Sequence, residues 1–177
     1  MAVVTPKGEA RRTALLDAVL RVLESGGPGA VTHRAVAAEA GVPLAAATYY
    51  FVGIDDLLVS ALTRATDSQA ALFAILRRGD LAGFAVALFD WTHIGRASLI
   101  AQYELLFLAM RRESLRDAAE LWYQALQDAI DALVPTAVEA RVAALAVDGL
   151  LLRMLWRGDP CTIPTIEAAL RDILPTT

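Results

Sequence analysis

The chain has 177 residues, 56% of them hydrophobic and 20% charged, with a formal net charge of −4. That length allows a sizeable core in one domain or two closely fused ones, and the apolar share exceeds what one monomer easily buries, which points to an oligomer interface, an apolar pocket or both. Three readings are excluded: a membrane span, because no apolar run nears ~18 residues; a disulfide framework or cysteine zinc site, because Cys161 is alone; and a large basic field.

In chain order the sequence reads as helices and turns, with almost no strand pattern. A first helix over residues 9–24 has Leu16, Val19, Leu20 and Leu23 at helical spacing and stops at Ser25-Gly26-Gly27-Pro28-Gly29. Thr32 caps a second helix, Gly41 supplies a tight turn, and a short third helix follows. Val31, Val36, Ala37 and Ala40 form the apolar face here, closed from beneath by Val42, Ala46 and Phe51. Asp55 and Asp56 mark the first turn of a fourth helix, where carboxylates complement the helix dipole. It is expected to run over residues 55–76 and to stop at Arg77-Arg78-Gly79, with Gly as the terminal cap. Asp80 caps a fifth helix over 80–94, a sixth covers 96–112, and Ser114 opens a seventh over 114–133, broken by Val134-Pro135. An eighth covers 136–156, ended by Arg157-Gly158-Asp159-Pro160. The ninth, over 164–174, puts Ile166, Ala169, Leu170 and Ile173 on one face and pairs Glu167 with Arg171 on the other. The fold class is all-α, without internal repeats.

Residues 30–58, AVTHRAVAAEAGVPLAAATYYFVGIDDLL, thus read as a helix-turn-helix. With the long preceding helix ARRTALLDAVLRVLESGG and the acidic start DDLL, they resemble the tetracycline-repressor (TetR) family over roughly the first third of the chain. The resemblance implies an N-terminal three-helix DNA-binding domain, residues 1–54, and a C-terminal helical ligand-binding and dimerisation domain, residues 55–177. It further implies a homodimer on a palindromic operator in double-stranded DNA, with the third helices in successive major grooves and a small-molecule effector that releases the duplex. Repression rather than activation follows family habit. No cofactor is implied, and the absence of a signal-peptide pattern makes the cytoplasm the expected compartment.

Carried over by position, Leu44, Ala45, Ala46, Thr48 and Tyr49 should face the groove. None can make the bidentate pairs that read guanine or adenine, so apolar contact with thymine methyls and one hydroxyl remain. Thr32, His33 and Arg34, at the start of the second helix, become the strongest base or phosphate contacts, and Tyr49 and Tyr50 can donate phenolic hydroxyls to phosphates. The family commonly has Tyr where Thr48 stands and Lys where Ile54 stands, so two phosphate contacts are replaced. Residues 1–54 hold five basic side chains (Lys7, Arg11, Arg12, Arg21, Arg34) against four acidic ones. Attraction to DNA must therefore come from local placement of Lys7, Arg11, Arg12 and Arg34, and from an arm at residues 1–8. The rival reading is a helical dimer of the same fold that binds a ligand or protein and has lost specific DNA binding.

For the effector, the middle helices supply an aromatic set with polar groups among it: Phe73, Phe89, Trp91, His93, Gln102, Tyr103, Phe107 and Trp122. Phe84, Tyr123, Glu104 and Arg111 lie in the same stretch. Each aromatic taken singly also suits a core. A metal held by Asp90, His93 and Glu104 would need two helices to converge and is not expected. Dimerisation falls to helices 136–156 and 164–174, because AALAVDGLLLRMLWRGDP is apolar on more than one face. Gly149 inside it costs roughly 1 kcal/mol relative to Ala, tolerable where helices cross closely. An enzyme is not indicated: His33 and His93 fall in different domains, and no G-x-S-x-G or phosphate loop occurs.

Overall fold

A computed structural model of the chain describes residues 5–131, 133–157 and 161–174. Among these residues there are helices and no strand. They are α1 (Pro6–Gly26), α2 (His33–Glu39), α3 (Leu44–Tyr50), α4 (Ile54–Ser68), α5 (Ala70–Arg77), α6 (Leu81–His93), α7 (Arg96–Leu108), α8 (Arg116–Asp131), α9 (Ala137–Arg157) and α10 (Ile163–Ile173). No single helix is long and apolar enough to cross a membrane. The chain divides into two compact units: residues 1–65 with 100–119, and residues 66–99 with 120–177.

In the first unit α1 is started by Thr5, whose hydroxyl accepts from the Gly8 N–H at 3.2 Å, and is stopped by Gly27 at φ 67°. Only a residue without a Cβ takes that conformation cheaply. Its buried stripe of Leu15, Leu16, Val19 and Leu23 packs on α2 and α3. Thr32 caps α2 by accepting from the Ala35 N–H at 3.1 Å, and Gly41, at φ 65°, turns the chain toward α3. Seven residues are too few for an independent helix, so α2 and α3 hold their shape by packing. The expected face is present in Val31, Val36 and Ala37, but the residue of α3 that enters the core is Ala47, fully buried, while Ala46 is half-buried. Beneath them Phe51 is 1% exposed, with the Arg12 guanidinium 5.5 Å above its ring.

The start of α4 is tied on two sides. Asp56 reaches back to accept from the Val52 N–H at 3.1 Å, and Asp55 accepts from the Ser114 hydroxyl at 2.8 Å and pairs with Arg112. The Ser114 and Arg112 hydrogen bonds hold the Asp55 carboxyl below its ordinary pKa. Ser114 therefore serves α4; it lies in the 3-10 turn Glu113–Leu115, and α8 begins at Arg116. The fourth helix expected over 55–76 is interrupted at Gln69, whose N–H bonds the Thr66 carbonyl three residues back and tightens the turn. Likewise α7 ends at Leu108, not at 112, because Ala109, Met110 and Arg111 bond three residues back.

In the second unit, Asp80 caps α6 as its sequence position suggests, accepting from the Gly83 N–H at 2.8 Å, and Gly79 ends the preceding turn at φ 72°. Phe84, Ala85 and Leu88 of α6 pack among α9 and α10, which bring Ala140, Val147 and Leu151, and Ile166 and Leu170. Thr162 caps α10 in a reciprocal box with Thr165, and Arg171 pairs with Glu167 on the outer face. Polar groups also tie this core. Arg96 donates to the Leu155 carbonyl at 2.6 Å, and the Tyr123 hydroxyl donates to Asp148 at 3.4 Å. Burial and the neighbouring Asp148 push the Tyr123 phenol upward in pKa. The stop expected at residues 158–160 lies outside the described residues.

Candidate DNA-binding surface and ligand region

The α3 helix turns one edge inward through Ala47, and this decides what its other faces present. Leu44 is 42% and Tyr49 78% exposed, and Ala45 and Thr48 are exposed beside them. Ala46 and Tyr50 are half-buried at the margins. The Thr48 hydroxyl lies 3.4 and 3.3 Å from the Leu44 and Ala45 carbonyls, so it is partly committed to its own helix. Tyr49 and Tyr50 meet edge to face at 5.1 Å, which leaves the Tyr49 phenol directed outward. The exposed face of α3 is thus apolar with one projecting phenol.

At the start of α2, Thr32 spends its hydroxyl on the cap, and His33 is half-buried with Nε2 shut off from solvent and unpartnered. Arg34 is exposed and forms no ion pair among the described residues. Of the other cations expected to grip phosphate, Lys7 and Arg11 are exposed on the first turns of α1. Arg12 is not available in the same way: it covers Phe51 and reaches the Ser60 hydroxyl at 3.4 Å. Arg21 pairs with Glu39 at 2.6 Å and Arg64 with Asp17 at 2.7 Å, fastening α2 and α4 to α1. These three arginines hold the unit together, and for Arg12 the sequence position alone did not distinguish that role from phosphate binding. Of the arm expected over residues 1–8, residues 1–4 lie outside the described residues, and Thr5 onward already belong to α1 and its cap.

The aromatic set divides between the units. In the second, Phe89 stacks on His93 with ring centroids 4.0 Å apart, Trp91 and Trp122 lie 6.2 Å apart, and Phe73 is buried. His93 itself is exposed, its Nδ1 2.9 Å from the Phe89 carbonyl. In the first, Tyr103 and Phe107 lie 6.1 Å apart on α7; Tyr103 and Gln102 are buried, whereas Phe107 is 47% exposed. Beside Phe107 is a group that patterning did not single out for the site. Glu104 is half-buried, its Oε2 is closed off without a hydrogen-bond partner, and burial raises its pKa. No cluster of three or more His, Cys, Asp or Glu side chains suited to a metal occurs among the described residues. Within the second unit α9 and α10 border an apolar groove of about 490 Å³, lined by Val134, Pro135, Val138, Val142 and Ile173 among others, with Glu139 and Asp172 on its walls.

Comparison with known proteins agrees with this arrangement over most of the chain. The description "Bacterial regulatory proteins, tetR family" matches residues 15–61, and "Tetracyclin repressor-like, C-terminal domain" matches residues 76–176. The HTH-type transcriptional regulator BetI of Rhizobium meliloti (strain 1021) is 29% identical over 175 residues, covering 92% of this chain and 86% of its own. A TetR-family structure from Streptomyces coelicolor A3 superposes with a TM-score of 0.82 at 31% identity, covering 94% of this chain and 99% of its own. The multidrug binding protein EbrR in complex with ethidium gives 0.79 at 31% identity and the same coverage, and EbrR is also known with malachite green and with proflavin. The chain belongs to the TetR family and is a DNA-binding transcriptional regulator, not an enzyme.

Proposed function

We propose that this regulator is a cytoplasmic, homodimeric repressor, in which residues 1–54 read a palindromic operator and residues 55–177 bind an effector and join the two copies. The observation that carries the DNA reading is the exposed face of α3, Leu44, Ala45, Thr48 and Tyr49, together with the unpaired Arg34. An apolar face of this kind fits thymine methyls, and Tyr49 and Arg34 supply the phosphate contacts that set register. Selection of bound duplexes from a random pool should return half-sites about one helical turn apart and thymine-rich where α3 lies. No enrichment would favour a helical dimer that has lost its operator. On the selected duplex, Arg34→Ala should weaken binding across all sequences and lower the slope of log affinity against log salt by about 0.9, the signature of one lost phosphate contact. An unchanged slope removes Arg34 from the interface.

For the effector, Glu104 is the informative residue. A partly buried carboxylate with one oxygen unpaired is disfavoured in its charged form, and a bound cation would reverse that. Phe107, one turn away and half exposed, offers an aromatic face beside it. Ethidium, malachite green and proflavin, bound by the related EbrR, are aromatic cations with delocalised charge. We assign the effector of this chain to the same chemical class, with Glu104 as its counter-charge. Glu104→Gln should lower ethidium affinity by roughly 10-fold in a fluorescence titration, since a charge-assisted contact becomes neutral. The wild-type affinity should also fall as pH drops through the raised pKa of Glu104, because protonation removes the charge. Equal affinity of the variant and the wild type for ethidium would discard Glu104 as the anchor. Release of DNA then requires that the effector prefer the state that does not fit the operator; a ligand binding both states equally shifts nothing.

A further inference from the structure

The surface that α3 presents is defined as much by what it lacks as by what it shows. Residues 40–54 include no charged and no amide side chain. Within that stretch Pro43, Leu44, Ala45, Thr48 and Tyr49 are exposed. Base pairs are told apart in the major groove by their pattern of donors and acceptors, and the side chains that read it best are Arg, Lys, Asn, Gln, Glu and Asp. None is available on this helix. The Thr48 hydroxyl is the nearest substitute, but it donates to the Leu44 and Ala45 carbonyls at 3.4 and 3.3 Å, so it keeps no hydrogen for an acceptor on a base edge. Tyr49 brings a single phenol, which cannot make the paired contacts that single out guanine or adenine. At the start of α2, His33 has its Nε2 closed off.

What an apolar face can register is a methyl group. In a duplex the C5-methyl of thymine projects into the major groove beside O4. A cytosine methylated at C5 places the same methyl at the same position and differs in presenting its N4 amino group where thymine presents O4. To Leu44, Ala45 and the half-buried Ala46 the two pyrimidines are therefore alike. Telling them apart falls to hydrogen-bonding side chains that α3 does not have.

We propose that α3 recognises C5-methylated pyrimidines as a class and accepts 5-methylcytosine·guanine in place of thymine·adenine, so that cytosine methylation at C5 strengthens binding to an operator-like site. This rests on the reading of α3 as the element that enters the groove, and it names the feature of the duplex that α3 senses. Covering one methyl with an apolar side chain is worth about fourfold in affinity, and a palindrome presents each change twice, which makes about 15-fold.

Fluorescence anisotropy tests this with the full chain and the duplex it selects from a random pool. At thymines invariant in the half-sites, replacement by uracil removes the methyl and leaves the pairing edge intact. Replacement of thymine·adenine by cytosine·guanine changes both, and 5-methylcytosine·guanine keeps the methyl while changing the edge. The uracil and cytosine duplexes should each bind about 15-fold more weakly than the parent, and the 5-methylcytosine duplex should return to within about threefold of it. The slope of log affinity against log salt should be the same for all of them, because no phosphate contact changes. Leu44→Ala should narrow the preference for thymine over uracil; a preference retained in full places the sensing elsewhere than on α3 and overturns the proposal. A uracil duplex equal to the parent overturns it because the methyl is not sensed, and a 5-methylcytosine duplex as weak as the cytosine one overturns it because the edge is. In both of these cases selective binding of the parent duplex survives. Failure to select any duplex removes the operator reading itself, and the proposal with it.

Discussion

Leu145→Arg should give a folded helical monomer that no longer holds a full operator. Leu145 is 60% exposed and contributes little to the core of its own unit, so far-ultraviolet circular dichroism and the denaturation midpoint should stay close to wild type. In a dimer joined through α9, by contrast, the substitution carries an arginine from each copy into an apolar interface that offers it no partner, and burying unpaired charge costs several kcal/mol. Sedimentation should therefore report a monomer at concentrations where the wild type is dimeric. DNA binding should suffer through geometry alone. Two helix-turn-helix units joined in one dimer bind the second half-site intramolecularly, and losing that advantage weakens binding by about 10²–10⁴-fold without touching any residue at the duplex. Retained dimerisation in Leu145→Arg would place the interface elsewhere than on α9.

The second large effect is expected at Phe51. Its ring is 1% exposed beneath α2 and α3, and it also carries the Arg12 guanidinium at 5.5 Å. Phe51→Ala removes a core aromatic and the cation–π contact together, a loss of about 3–5 kcal/mol. Because α2 and α3 are too short to persist alone, that loss falls on the element that must be rigid to read DNA. Urea denaturation should show the loss, and hydrogen exchange should locate it in residues 33–50. Tyr49→Ala is the matched control. With 78% of its surface exposed it should change stability by no more than about 0.5 kcal/mol, yet lower operator affinity through the lost phenol. If the two substitutions weakened DNA binding in proportion to their effects on stability, Tyr49 would be a packing residue and not a contact.

Much of the architecture is legible in the sequence, because it rests on local chemistry. Thr32 and Asp80 cap helices in the structure as their positions predict, since a side-chain oxygen that satisfies free N–H groups needs only its own first turn. Gly27, Gly41 and Gly79 take positive φ where the chain must turn, another property of single residues. Helix limits were less secure. The interruption at Gln69 and the 3-10 turn before α8 arise from shifts of one hydrogen-bond partner, which no periodicity records.

What the sequence by itself determined is therefore the order and kind of the elements, and through the helix-turn-helix spacing the family and its DNA-binding activity. The tertiary structure decided which side of each element is spent inside. Ala46 and Ala47 are chemically identical, and only packing against α1 and α2 makes Ala47 the core residue and turns Leu44, Ala45, Thr48 and Tyr49 outward. Arg12 and Arg34 are both arginines in the N-terminal third, but one covers Phe51 while the other stands free of ion pairs. In sequence Glu104 is one more polar residue among aromatics; only the fold closes off its Oε2 and leaves it unpartnered. Along α9 nearly every face is apolar, so composition could not say which face is surplus; once α6 and α10 cover theirs, the stripe from Val138 to Trp156 is what remains. Caps and turns are settled within four residues of the chain, whereas burial and isolation depend on neighbours far away in sequence, and those exist only after folding.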